Sequence, residues 1–116
     1  MPTRQQVAAA VDAYVRGLSA RDRDRWLQLF TDDAVLVDPV PSDPVTGRSA
    51  IAAFYDGLAA MSERLVVVAR QVVVCGAEAA VTFTTVAGPA AGGGVAFDGV
   101  LVLTVADDGR VSEVRS

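Results

Sequence analysis

Residues 30–55 read FTDDAVLVDPVPSDPVTGRSAIAAFY. Within them, Ala34-Val35-Leu36-Val37 is uncharged and rich in β-branched residues, the composition of a mostly buried strand. Asp38 ends that run directly before Pro39. Pro41 and Pro44 follow, so the chain leaves the strand into an irregular loop. Side chains alternate along a strand, which puts Asp38 on the side of Leu36 and opposite Val35 and Val37. Either side offers apolar neighbours, and withdrawing water from a carboxylate raises its pKa and makes it a stronger base. Asp38 is therefore read either as a working carboxylate or as a plain strand-ending turn residue. After the proline loop, Ser49 is placed to cap a helix running to about Ala60, with Ile51, Phe54, Tyr55, Leu58 and Met61 on its apolar face.

Upstream, residues 4–19 have helical periodicity, with Val7, Val11, Tyr14, Val15 and Leu18 on one stripe. A phenol on a buried stripe needs a hydrogen-bond partner or a place at the rim. A polar turn, Ser19 to Asp24, whose charges read as a solvated surface, separates this helix from a short second one over Arg25–Phe30. Downstream of Glu63 the period changes to that of strands: Arg64–Cys75, Ala79–Ala87, Val95–Ala106 and Arg110–Arg115. Asp107-Asp108-Gly109 gives a tight turn before the last, and Gly92-Gly93-Gly94 a hairpin turn. Helices first and antiparallel strands after them predict one α+β domain, residues 1–116, with helices packed on one face of a curved sheet.

Composition removes whole classes of chemistry. The chain of 116 residues is 52% apolar and carries a net charge of −4. It has no Lys, and its Arg residues are scattered, which argues against a nucleic-acid surface. No apolar run is long enough to span a membrane, and the N-terminus reads as a helix without a signal-peptide core, so a cytoplasmic location is expected. The one cysteine, Cys75, follows Val72-Val73-Val74 and reads as a buried apolar residue. With no His, a Ser-His-Asp triad, a Cys-His pair and a His-containing zinc site are excluded. With no Lys, so are a Schiff base and a Walker-type phosphate loop. No cofactor or metal is expected, and proton handling falls to Asp, Glu, Tyr or Cys.

A second acid interrupts an apolar run, in Val95-Ala96-Phe97-Asp98-Gly99-Val100-Leu101. Such an acid is costly in a core unless it is paired or protonated, and costs little if its face of the sheet is wet. Two aspartates in apolar strands and a phenol on a helix's buried stripe suit proton abstraction beside a carbonyl. One carboxylate is the base, and two donors hold the enolate oxygen in an apolar pocket.

The same residues carry a resemblance. Tyr14-Val15 with Leu18, Leu29-Phe30-x-Asp32-Asp33-Ala34, Val37-Asp38-Pro39-Val40, Ser42-x-Pro44-x-x-Gly47, Ile51, Phe54-Tyr55 and Ala96-Phe97-Asp98 make the chain resemble the bacterial Δ5-3-ketosteroid isomerases of the NTF2-like (SnoaL-like) superfamily. The resemblance implies a cone-shaped curved sheet backed by N-terminal helices and a homodimer packed through the sheet. It implies a steroid delta-isomerase that turns 3-oxo-Δ5-steroids into conjugated 3-oxo-Δ4-steroids. On it, Asp38 is the base that carries a proton from C4 to C6, and Tyr14 and protonated Asp98 are the donors to the 3-oxygen. Tyr55 hydrogen-bonds the catalytic phenol, and Phe54, Val15, Leu18 and Phe83 contact the steroid. A carboxylic acid held neutral in an apolar site is the established pattern of that family. The alternatives are another enzyme of the superfamily, such as a polyketide cyclase or dehydratase, and a non-catalytic dimer that binds small hydrophobic ligands.

Overall fold

A computed structural model describes all residues, Met1–Ser116. The elements run α1 (Arg4–Ala20), α2 (Arg23–Leu27), β1 (Phe30–Val37), β2 (Val45–Thr46), α3 (Arg48–Met61), β3 (Arg64–Cys75), β4 (Glu78–Gly88), β5 (Val95–Val105) and β6 (Val111–Arg115). The six strands form one sheet in the order β2-β1-β6-β5-β4-β3. Every neighbouring pair is antiparallel except β1 and β6, which run parallel. The α+β class and the curved sheet behind N-terminal helices are as expected, with the parallel pair a departure from a wholly antiparallel sheet.

Helix α1 starts at a capping box, in which the Thr3 hydroxyl accepts from Gln6 N and the Gln6 side chain accepts from Thr3 N. Its apolar stripe, Val7, Val11, Tyr14 and Val15, is buried against the sheet. Helix α3 contributes Ile51 and Tyr55 to the same core. Arg48 ties α3 to β1, donating to the Phe30 carbonyl at 2.6 Å and pairing with Asp32 at 3.0 Å.

Several local expectations change. Strand β1 begins at Phe30, so α2 is confined to Arg23–Leu27. The N-cap of α3 is Gly47, not Ser49. Cys75 is exposed because it stands in the outward row Cys75–Glu78–Thr104, next to the inward row Val74–Ala79–Leu103. Met61, at the last turn of α3, is exposed as well. The polar turn is more than a solvated surface: Arg21 donates to the Ala59 and Ser62 carbonyls, both at 2.7 Å, and Arg23 pairs with Asp56 at 2.7 Å.

Register decides which strand residues face the helices. Across β3, β4 and β5 the inward rows are Leu65–Ala87–Val95, Val67–Thr85–Phe97, Ala69–Phe83–Gly99, Val72–Val81–Leu101 and Val74–Ala79–Leu103. The intervening rows, Val68–Thr84–Asp98 among them, point to the other face.

Candidate active site

A cavity of about 170 Å³ opens between α1, α3 and the inward face of the sheet. Helix α1 supplies Tyr14 and Leu18, α3 supplies Leu58, and the end of β1 supplies Asp38. The sheet contributes Leu65 and Val67 from β3, Phe83 and Thr85 from β4, and Phe97 and Leu101 from β5, with Ser116 beyond β6. Eight of these eleven residues are hydrophobic. Of the ionisable groups at the cavity, Asp38 is the only carboxylic acid among the side chains.

Tyr14 is 3% exposed. Its ring packs tilted on Trp26 at 5.5 Å and edge-on to Phe30 at 6.2 Å, which fixes the direction of the hydroxyl. Trp26 reaches this place because Gly17 has no side chain; a Cβ there would lie 2.5 Å from Trp26 Cδ1. Burial, and then the negative charge of Asp38, push the Tyr14 phenol well above the ordinary tyrosine range. Tyr14 is thus a neutral hydrogen-bond donor at physiological pH.

Asp38 is half-buried, and loss of water raises its pKa above the usual carboxylate value. The strand end that carries it is held on the terminal residue: Ser116 N donates to the Val37 carbonyl at 2.8 Å and Val40 N to the Ser116 carbonyl at 2.7 Å. The Asp38 carboxylate is not paired with any cation. Nothing competes with a substrate proton for it.

Asp98 is not in this cavity. It lies on the opposite face of the sheet, exposed, where the Thr84 hydroxyl donates to it at 2.8 Å and Arg70 donates to Thr84 at 3.1 Å. The inward positions on β5 are Phe97, Gly99 and Leu101, so the expected second acid is replaced at the cavity by apolar residues. The apolar run around Asp98 concealed this, because Val100 and Val102 share its exposed face.

Tyr55 is 5% exposed, and its hydroxyl has no hydrogen-bond partner. The expected bond to Tyr14 is not made. The Trp26 ring instead packs on both phenols, 5.1 Å from Tyr55 and 5.5 Å from Tyr14. Leu18 and Phe83 line the cavity, whereas Phe54 and Val15 pack in and around the core without lining it. Thr85, Phe97 and Leu101 were not among the expected site residues, although their shared strand parity with Phe83 was the available signal. No group of three or more His, Cys, Asp or Glu side chains is gathered that could hold a metal ion.

Residues 11–114 match the model of the SnoaL-like domain family. The chain is a SnoaL-like domain. Solved structures similar to this SnoaL-like chain include the Δ5-3-ketosteroid isomerase of a Mycobacterium species, at 28% identity and TM-score 0.80, covering 95% of this chain and 90% of that one. A Mycobacterium tuberculosis protein in complex with estradiol-17β-hemisuccinate matches at 25% identity and TM-score 0.84, over 95% of this chain and 91% of that one. The epoxide hydrolase/cyclase-like enzyme SalBIII of salinomycin pyran-ring formation shares the fold, with 22% identity and TM-score 0.87 over 99% of this chain and 92% of that one. Among curated proteins, the epoxide hydrolase LasB of Streptomyces lasalocidi is 50% identical over 40 residues, which is 34% of this chain and 14% of that protein. The SnoaL-like chain therefore matches only a small part of that relative's length. Proteins of this fold thus include a ketosteroid isomerase and an epoxide hydrolase/cyclase-like enzyme. No helix of the chain is long and apolar enough to cross a membrane.

Proposed function

We propose that this SnoaL-like domain is a proton-transfer isomerase of flat hydrophobic ketones, and that 3-oxo-Δ5-steroids are its best substrate class. The observation that carries the reading is the presence of Asp38 and Tyr14 in one otherwise apolar cavity. The Asp38 carboxylate takes a proton from C4, next to the 3-ketone. The electron pair moves onto the oxygen as a dienolate, and the Tyr14 hydroxyl donates to that oxygen. Asp38 then returns the proton at C6, leaving the conjugated 3-oxo-Δ4-steroid. Desolvation serves the base by raising its proton affinity, and burial serves the donor by keeping the phenol neutral.

The enolate oxygen receives one side-chain donor from Tyr14 and none from an acid on β5. Turnover should be slower than in a site with two strong donors, since one such donor is worth about 10²–10³ in kcat. The test is the rise of conjugated-enone ultraviolet absorbance after adding a Δ5-3-ketosteroid, with Asp38→Asn alongside. Turnover lost in the variant supports the reaction and the base together, and no turnover by the wild type overturns it.

A second reading draws on the local likeness to an epoxide hydrolase. Tyr14 would protonate an epoxide oxygen while Asp38 activates the attacking hydroxyl. Product formation from an epoxide with no enone from the ketosteroid would favour it. Exposed Val68, Val73, Val100 and Val102 on the sheet's outer face suit a homodimer contact, which sedimentation of the wild type against Val100→Glu tests. We also place the protein in the cytoplasm.

A further inference from the structure

The cavity wall away from Asp38 carries a hydroxyl that the proton transfer leaves unused. Thr85 sits between Val67 and Phe97 in the register of β3, β4 and β5, is 4% exposed and lines the cavity. Its side chain makes no hydrogen bond to the protein. The inward rows on either side of it, Leu65–Ala87–Val95 and Ala69–Phe83–Gly99, are without a polar side chain. The hydroxyl oxygen is not sealed in the core but opens into the cavity, where it is free to meet an oxygen of a bound molecule.

Register also places Thr85 relative to the reacting groups. Val37, Arg115 and Val102 are paired across β1, β6 and β5. The next residues along these strands, Asp38, Ser116 and Leu101, all line the cavity. On β5, Leu101 marks the Asp38 end and Phe97 the Thr85 end, and four residues of strand span about 13 Å. Phe97 is 52% exposed, so the Thr85 end is the one nearer solvent.

We infer that Thr85 is a substrate-binding residue, which hydrogen-bonds an oxygen at the far end of an elongated apolar molecule whose carbonyl end lies at Tyr14 and Asp38. This rests on the proposed placement of the carbonyl. A hydroxyl both donates and accepts, so the distal group is a ketone or an alcohol. The substrate class is narrowed to rigid apolar skeletons with oxygen functions at both ends. Phe83, in the row between those of Leu101 and Thr85, covers the skeleton between them.

The test is equilibrium binding of two phenolic steroids, estradiol and its 17-deoxy analogue, to the wild type and to Thr85→Val, Thr85→Ser and Tyr14→Phe. The wild type should bind estradiol more tightly by roughly 3–10-fold, the worth of one neutral hydrogen bond. Thr85→Val should erase that preference by weakening estradiol alone, and Thr85→Ser should keep it. A preference that persists in Thr85→Val, or equal binding by the wild type, overturns the inference. If Tyr14→Phe weakens both ligands and Thr85→Val changes neither, the carbonyl placement stands and the role of Thr85 falls. If neither ligand binds the wild type, both fall.

Discussion

Thr84 donates a 2.8 Å hydrogen bond to Asp98 on the face of the sheet that points away from the cavity. The bond marks the parity of β5 that the register sets, with Phe97, Gly99 and Leu101 facing inward. Asp98→Ala is expected to leave isomerase turnover within about twofold of the wild type and stability within about 0.5 kcal/mol, as for surface positions in general. Steady-state kinetics and urea unfolding check this. A hundredfold loss of kcat in a folded variant would return Asp98 to the site.

Asp38→Asn should reduce kcat by about 10²–10⁴ while steroid binding persists. In the wild type, kcat/KM should rise with pH as Asp38 ionises, and the rise should lie above the ordinary carboxylate range because desolvation has raised its pKa. The stability effect has the opposite sign. A folded-state pKa above the unfolded value favours folding at low pH, and that contribution is lost as pH rises through the folded value. Asp38→Asn should therefore melt above the wild type at pH 7, with the gap closing in acid where Asp38 is protonated in both states. Thermal melts at the two pH values decide it.

Tyr14→Phe removes the donor to the enolate oxygen and should cost about 10²–10³ in kcat with a smaller change in KM. Tyr55→Phe should not behave this way. Its hydroxyl is buried without a partner, so removing it should leave turnover within about twofold and stability level or higher by on the order of 1 kcal/mol. Similar losses in the two variants would restore a hydrogen-bonded pair of phenols.

Phe83 lies against the backbone of Gly99, and a Cβ at that glycine would collide with its ring. Gly99→Ala should push the ring into the cavity, weakening steroid binding and costing about 1–3 kcal/mol as an overpacked contact. Gly99→Ala combined with Phe83→Leu should recover much of the stability. Ligand titration and urea unfolding of the single and double variants measure both effects.

The elements and one half of the site are legible in local residue patterns. Val7, Val11, Tyr14 and Val15 recur at helical spacing, and the apolar run ending at Asp38-Pro39 reads as a strand with a carboxylate at its tip. Such patterns are local, set by 3.6-residue and two-residue periods and by proline. The absence of His and Lys was equally legible, and it confined proton chemistry to acids and phenols. The other half depends on how distant segments meet in the fold. Whether Asp98 or its neighbours face the cavity depends on strand register, and a shift of one residue exchanges the two faces. Asp98 lies in a run that is apolar on both parities, so hydropathy could not choose between them. Thr85 was hidden for the same reason: a threonine in a strand is ordinary until its neighbours show that it is buried at a cavity wall. Tyr55 was read correctly as an inward residue, but Trp26, admitted by Gly17, packs on both phenols whose hydroxyls were expected to meet. Packing of that kind is a relation among three segments far apart in the chain.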